Sequence, residues 1–163
     1  MRGRFRALLV HDQERPMVEL KLSLEEQGIT TLRARGCAEA RAAMASPRPP
    51  ALIFTDSAFS DGAWADIQAL AETVRPTVPV IVVSRFVDIP LYLEALERGA
   101  ADFIVPPFRD ADVQYVVEGA LLGRTSIPCG FSRTTPDARA EVTQHAQDHT
   151  GSGVRAAHAQ AGR

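Results

Sequence analysis

Four side chains able to do chemistry stand directly behind three apolar runs. "LLVHDQE" places His11 and Asp12 after one run, "LIFTD" places Asp56 after another, and "VVS" places Ser84 after a third. Two carboxylates brought to one place repel each other unless a cation joins them or one takes a proton. Hard oxygen donors of this kind suit Mg²⁺, which keeps several of its waters. A carboxylate held beside a cation and a hydroxyl is also a competent phosphoryl acceptor. Taken singly, Asp12 and Asp56 would pass as helix or loop caps. What they can do together depends on whether the fold brings them to one crevice.

The elements that must do so are short and regular. Five apolar runs cover residues 7–10, 29–34, 51–54, 78–83 and 102–105. Four are nearly continuous, as in parallel strands buried on both faces, whereas the second interleaves Thr and Arg as an edge strand does. Helical patterns lie between and after them. Residues 16–27 carry Met17, Leu20 and Leu24 on one face and close at Gly28. Residues 38–45 are Ala-rich and stop at "SPRPP", and residues 63–74 carry Ile67, Leu70 and Val74. Residues 89–98 carry Leu93, Leu96 and Glu97 before Gly99, and residues 109–122 carry Val113, Val116, Val117 and Leu121 before Gly123. Strand then helix, repeated along the chain, implies a parallel sheet with right-handed crossovers. The expected fold class is α/β: a flavodoxin-like, doubly wound five-stranded parallel sheet of order 2-1-3-4-5 with five helices. In such a sheet the ligand crevice lies beyond the carboxyl ends of strands one and three. His11, Asp12 and Asp56 fall there, with Ser84 at the end of strand four and Pro106 at the end of strand five.

The 163 residues suggest one domain with a tail, and 45% hydrophobic with 23% charged residues suffices for a packed core. A formal net charge of -2 gives no global argument for nucleic acid or an anionic membrane. The basic "MRGRFR" is followed by an apolar run too short for a signal-peptide core, and nothing approaches a membrane span, so a cytoplasmic protein is expected. Cys37 and Cys129 have no metal-ligand spacing and read as free thiols. No internal repeat occurs. Residues 1–123 are expected to form the domain. The polar residues 124–163 are expected to form a disordered tail, in which Thr135-Pro136-Asp137 would cap a short helix and His145 and His149 read as solvated.

With these residues in this order, the sequence resembles the receiver domain of bacterial two-component response regulators over about Phe5 to Gly123. "LLVHDQE", "LIFTDSAFSDG", "VPVIVVS" and "ALERGAADFIVPPF" carry the resemblance. It implies that Asp56 accepts a phosphoryl group from a histidine kinase. It implies a Mg²⁺ site from Asp12, Asp56 and the backbone carbonyl of Ala58. It makes Ser84 the switch hydroxyl and Phe103 the switch aromatic. It also implies a lysine at the end of strand five, before a proline reached across a cis peptide. Here that lysine is Pro106, and Pro107 matches the family proline.

Several positions depart from the family pattern. Lys21, the only lysine in the chain, lies in the first helix and cannot replace the lost cation, which leaves Arg85 as the candidate substitute or as a block to the pocket. His11 replaces the first of two acids, so the Mg²⁺ site is expected to be weak; the plainer role for His11 is a hydrogen-bonded side chain. Ser60 replaces a usual proline, and Phe103 lacks the hydroxyl of Tyr. The resemblance implies a sensor histidine kinase or another signalling protein as partner, with no direct nucleic acid contact and no membrane, and leaves a homodimer open. With no output domain expected after Gly123, the signal would pass by protein contact through the fourth helix, fifth strand and fifth helix. The chain would not be an enzyme beyond self-catalysed phosphoryl gain and loss. One alternative is a pseudo-receiver that signals without phosphorylation. Another is a haloacid-dehalogenase-type phosphatase, which "HDQE" faintly resembles through Asp12 and Glu14 but without a catalytic lysine. A flavin-binding flavodoxin relative would need a phosphate-cradling loop that "HDQERP" does not supply.

Overall fold

The computed structural model describes residues 5–123. The expectations for the tail, including the Thr135 cap, His145, His149 and Cys129, lie outside the described residues.

Strands β1 (Arg6–Val10), β2 (Thr30–Ala34) and β3 (Leu52–Asp56) alternate with helices α1 (Met17–Glu26) and α2 (Cys37–Met44). A small hairpin follows, β4 (Ala58–Phe59) and β5 (Gly62–Ala63), and leads into α3 (Trp64–Thr73). Strand β6 (Val80–Val83), α4 (Ile89–Glu97), β7 (Asp102–Ile104) and α5 (Asp110–Leu121) complete the unit. The main sheet is parallel, in the order β2-β1-β3-β6-β7. With the hairpin set aside, this is the expected 2-1-3-4-5 order, and the Thr/Arg-interleaved β2 is an edge strand.

Alternation along each strand divides the core between two faces. Ala7, Leu9, Leu52 and Phe54 pack with Met17, Leu20 and Leu24 of α1 and with Val113, Val116 and Val117 of α5. Leu8, Val10, Ile53 and Val80 face the other way, onto Ala40 and Met44 of α2 and Ile67 and Ala71 of α3. A third cluster joins Trp64, Val82, Ala95, Ala100 and Phe103. Gly28 and Gly99, at φ 79° and 86°, take the left-handed conformation that ends α1 and α4.

Strand β3 ends at Asp56, as expected; Asp56 pairs with Val83, so the carboxylate is the last ladder residue. One local feature differs from the sequence expectation. Helix α4 buries only Ala95 and leaves Leu93 51% exposed, because Ala95 is the residue that packs on Phe103 and Ala100. Phe86, Val87 and Ile89, ahead of and at the start of α4, are also exposed. Helix α2 starts at a glycine with no side chain to cap it. Asp61, in the β4–β5 turn, does this from a distance: its carboxylate accepts the N–H of Cys37 (3.0 Å) and of Ala38 (3.3 Å). A Cβ on Gly36 would lie 1.8 Å from Asp61 Oδ1, so this capping needs a glycine there.

Candidate functional site

Parallel register carries the chemistry to one end of the sheet. Val10 pairs with Thr55 and Asp56 with Val83, so the residues that follow β1 and β6 flank the end of β3. The His11 N–H donates to Ala34 O (2.9 Å), extending the β1 ladder by one residue and burying the imidazole. Its Nδ1–H donates to the backbone carbonyl of Gln13 (2.6 Å). Burial pushes the imidazole pKa below its ordinary 6.5; the Gln13 carbonyl opposes this, Arg33 reinforces it, and Asp56 and Asp12 oppose it more weakly. His11 is thus a neutral, hydrogen-bonded group near neutral pH.

Asp56 is only 4% exposed. Its Oδ1 accepts the Ser57 N–H (2.8 Å) and, at 3.4 Å, the Ser57 hydroxyl. Asp12, half-buried, accepts the Ser60 N–H on Oδ2 (2.7 Å). These bonds occupy one oxygen of each carboxylate. Ser84 is buried, its N–H bound to Ile104 O (3.0 Å), and its hydroxyl accepts the Phe86 N–H at 3.4 Å. Arg85 is exposed, and its guanidinium donates to the side-chain carbonyl of Gln13.

A cleft of about 330 Å³ brings together Asp56, Ala58, Ser84, Arg85 and Gln13, with Phe86 at its rim. Asp12 and Phe103 are not among its lining residues. Asp12 stands one residue beyond His11 and is joined to the hairpin through Ser60. Phe103 is buried on the α4 side, its ring edge-to-face with Tyr92 at 5.8 Å and 68°. Pro106 is half-buried after β7, and the Pro106–Pro107 peptide is cis, as a family-type turn there requires. Lys21 pairs with Glu25 on α1 (3.8 Å), away from this end of the sheet. Sequence reasoning missed Gln13 and Ser57. Gln13 sits inside "HDQE", but an uncharged amide there carries no motif of its own.

The donors expected for a metal, Asp12, Asp56 and the Ala58 carbonyl, are all oxygens, the kind Mg²⁺ takes; of these, Asp56 and Ala58 line the cleft. Among the described residues, no cluster of three or more His, Cys, Asp or Glu side chains could hold a metal. The set thus rests on two carboxylates, and His11, with Nδ1 already bound, adds no oxygen.

The family model for the response regulator receiver domain matches residues 7–118. Among curated relatives, the response regulator protein PilR of Pseudomonas aeruginosa is 29% identical over 119 residues, covering 73% of this chain and 26% of that protein. The photosynthetic apparatus regulatory protein RegA of Rhodovulum sulfidophilum is 28% identical over 123 residues, covering 75% of this chain and 65% of that protein. The chain therefore spans between a quarter and two thirds of the length of these relatives. Among solved structures, NtrX from Brucella abortus superposes with a TM-score of 0.64 at 28% identity, covering 76% of this chain and 27% of that one. The signal receiver domain of a signal transduction histidine kinase from Syntrophus aciditrophicus gives 0.61 at 28% identity, covering 78% of this chain and 99% of that one. Sheet order, crevice and sequence agree: the chain belongs to the response regulator receiver domain family, the signalling modules of two-component systems.

Proposed function

We propose that this chain is an atypical receiver that accepts a phosphoryl group on Asp56 and signals by docking a partner protein. The observation that carries this is the cleft in which Asp56, Ser84 and the guanidinium of Arg85 line one space at the end of β3 and β6. Receiver domains are generally signalling modules rather than enzymes, bind Mg²⁺ at an acidic pocket, and interact with histidine kinases and effector domains. In this chain a carboxylate oxygen of Asp56 attacks the donor phosphorus. The bond from phosphorus to the donor's leaving atom breaks, and that atom keeps the electron pair. The new acyl phosphate carries about -1.5 to -2 charge. The Ser84 hydroxyl donates a hydrogen bond to a phosphoryl oxygen, and Arg85 supplies the positive charge that the family takes from its strand-five lysine. Mg²⁺, held by Asp12, Asp56 and the Ala58 carbonyl, would neutralise charge developing on the transferring oxygens. Residues 5–123 form the receiver unit. The exposed apolar residues Phe86, Val87, Ile89 and Leu93 beside the cleft support an output by protein contact. The phosphatase alternative gains nothing: Glu14 is exposed and does not line the cleft.

Incubation with acetyl phosphate and Mg²⁺, read by intact mass, tests the proposal. A gain of one phosphoryl group in the wild type, absent in Asp56→Asn, is expected. No gain in either the wild type or Pro106→Lys would refute phosphorylation and make the chain a receiver that signals by binding alone. A gain only in Pro106→Lys would show that Arg85 does not replace the lysine.

A further inference from the structure

Two departures from the receiver pattern, His11 and Arg85, converge on one residue. The His11 ring holds the backbone carbonyl of Gln13 at 2.6 Å, and the Arg85 guanidinium holds the Gln13 side-chain carbonyl. Gln13 follows β1 and Arg85 follows β6, the two strands on either side of β3. Their contact therefore crosses the carboxyl end of β3, where Asp56 lies, and both side chains line its cleft.

We infer that Gln13 is a displaceable internal ligand of Arg85, a strap across the Asp56 cleft that a tetrahedral oxyanion must open to reach the guanidinium. This rests on the reading that Arg85 serves as the cation of the site. Both residues are exposed, so water competes for each group and the contact adds little to folding stability. Its effect lies in where it holds the guanidinium. A neutral amide oxygen is a weaker partner for guanidinium than an oxyanion, which can take two parallel N–H bonds. The exchange of Gln13 for a phosphoryl group is thus favourable, but the affinity is reduced by what the strap contributes. His11 sets the strap's position: with Nδ1–H donating, the Gln13 backbone is tied to the buried imidazole, while its side chain is left free to release Arg85. An acid at position 11 would have no N–H to donate to that carbonyl. Gln13 is therefore a positioning residue, acting on the bound oxyanion through Arg85.

The test is titration of the 163-residue protein with inorganic phosphate, followed at the backbone amide resonances of the cleft residues Ser57, Ala58 and Ser84. Gln13→Ala should tighten phosphate binding about three- to tenfold, since a charge-assisted but solvated hydrogen bond no longer competes. Gln13→Glu, which puts a carboxylate against the guanidinium, should weaken binding by at least as much. Arg85→Ala should make binding indifferent to residue 13. A merely structural Gln13 would shift both variants in the same direction, and that result, or no shift in either, overturns the inference. Mass gain from acetyl phosphate, measured on the same variants, separates this inference from the acceptor assignment. Opposite phosphate shifts with no mass gain anywhere would uphold the strap and refute Asp56 as acceptor. Mass gain with phosphate affinity blind to residue 13 would do the reverse.

Discussion

Helix α2 rests on a carboxylate that lies far from it in the chain, and this gives a prediction with two separable parts. Asp61 accepts two of the N–H groups at the start of α2, those of Cys37 and Ala38. Truncating an N-cap side chain costs roughly 0.5–2 kcal/mol, and because Asp61 is exposed the lower half of that range applies. Asp61→Ala should therefore destabilise the fold by about 1 kcal/mol, a fall of roughly 3–6 °C in Tm for a unit of this size. Asp61→Asn keeps a capping oxygen of nearly equal quality and should recover most of that loss. The Cys37 thiol reports on the charge. Burial pushes its pKa above the ordinary value, and the negative charges of Asp61 and then Asp66 push the same way against a smaller pull from Arg41. Both substitutions remove the Asp61 charge, so both should speed alkylation of Cys37 by a maleimide or iodoacetamide near neutral pH. The assay pairs thermal unfolding with alkylation rates in a Cys129→Ser background. Capping and charge are distinct if Ala and Asn differ in Tm but agree in thiol rate. Equal Tm losses in the two variants, or an unchanged alkylation rate in Asp61→Asn, would refute the reasoning.

Ser60 N–H donates to Asp12 at 2.7 Å, and proline has no such donor; Ser60→Pro should therefore free that oxygen and tighten Mg²⁺ binding about two- to fivefold. Fluorescence of Trp64, the only tryptophan, can follow the titration, and the gain should vanish in an Asp12→Asn background. His11 is held below its ordinary pKa of 6.5, mainly by burial. The unfolded chain therefore takes the proton first, and the stability present above 6.5 declines as pH falls below it. Urea unfolding in chelator between about pH 7.5 and 5.5 should show a smaller decline for His11→Gln than for the wild type.

The order of the elements could be read from the sequence because each buried strand is a continuous apolar run and three helices, α1, α4 and α5, close at a glycine. Asp56 and Ser84 were readable as site residues for the same reason: they end strands whose neighbours are set by the fold. The β4–β5 hairpin was not, since strands of two residues have no period to detect. The inward face of α4 was misread because Leu93 and Leu96 outweigh Ala95 in any hydrophobic pattern, whereas Ala95 is small enough to fit against Phe103. The Asp61 cap and the Gln13–Arg85 contact join residues 24 and 72 positions apart. Local pattern holds no trace of such pairs; they arise from the register of the sheet.

Helix α4 has a single fully buried side chain, whereas α1 and α5 bury four each. Local opening is least costly where the fewest apolar contacts must be given up. Displacing α4 therefore gives up fewer buried side chains than displacing α1 or α5. It also supplies Leu91 to the Asp56 cleft and Tyr92 to the ring of Phe103. A change at Asp56 that reaches α4 through these contacts therefore meets fewer buried side chains there than it would in α1 or α5.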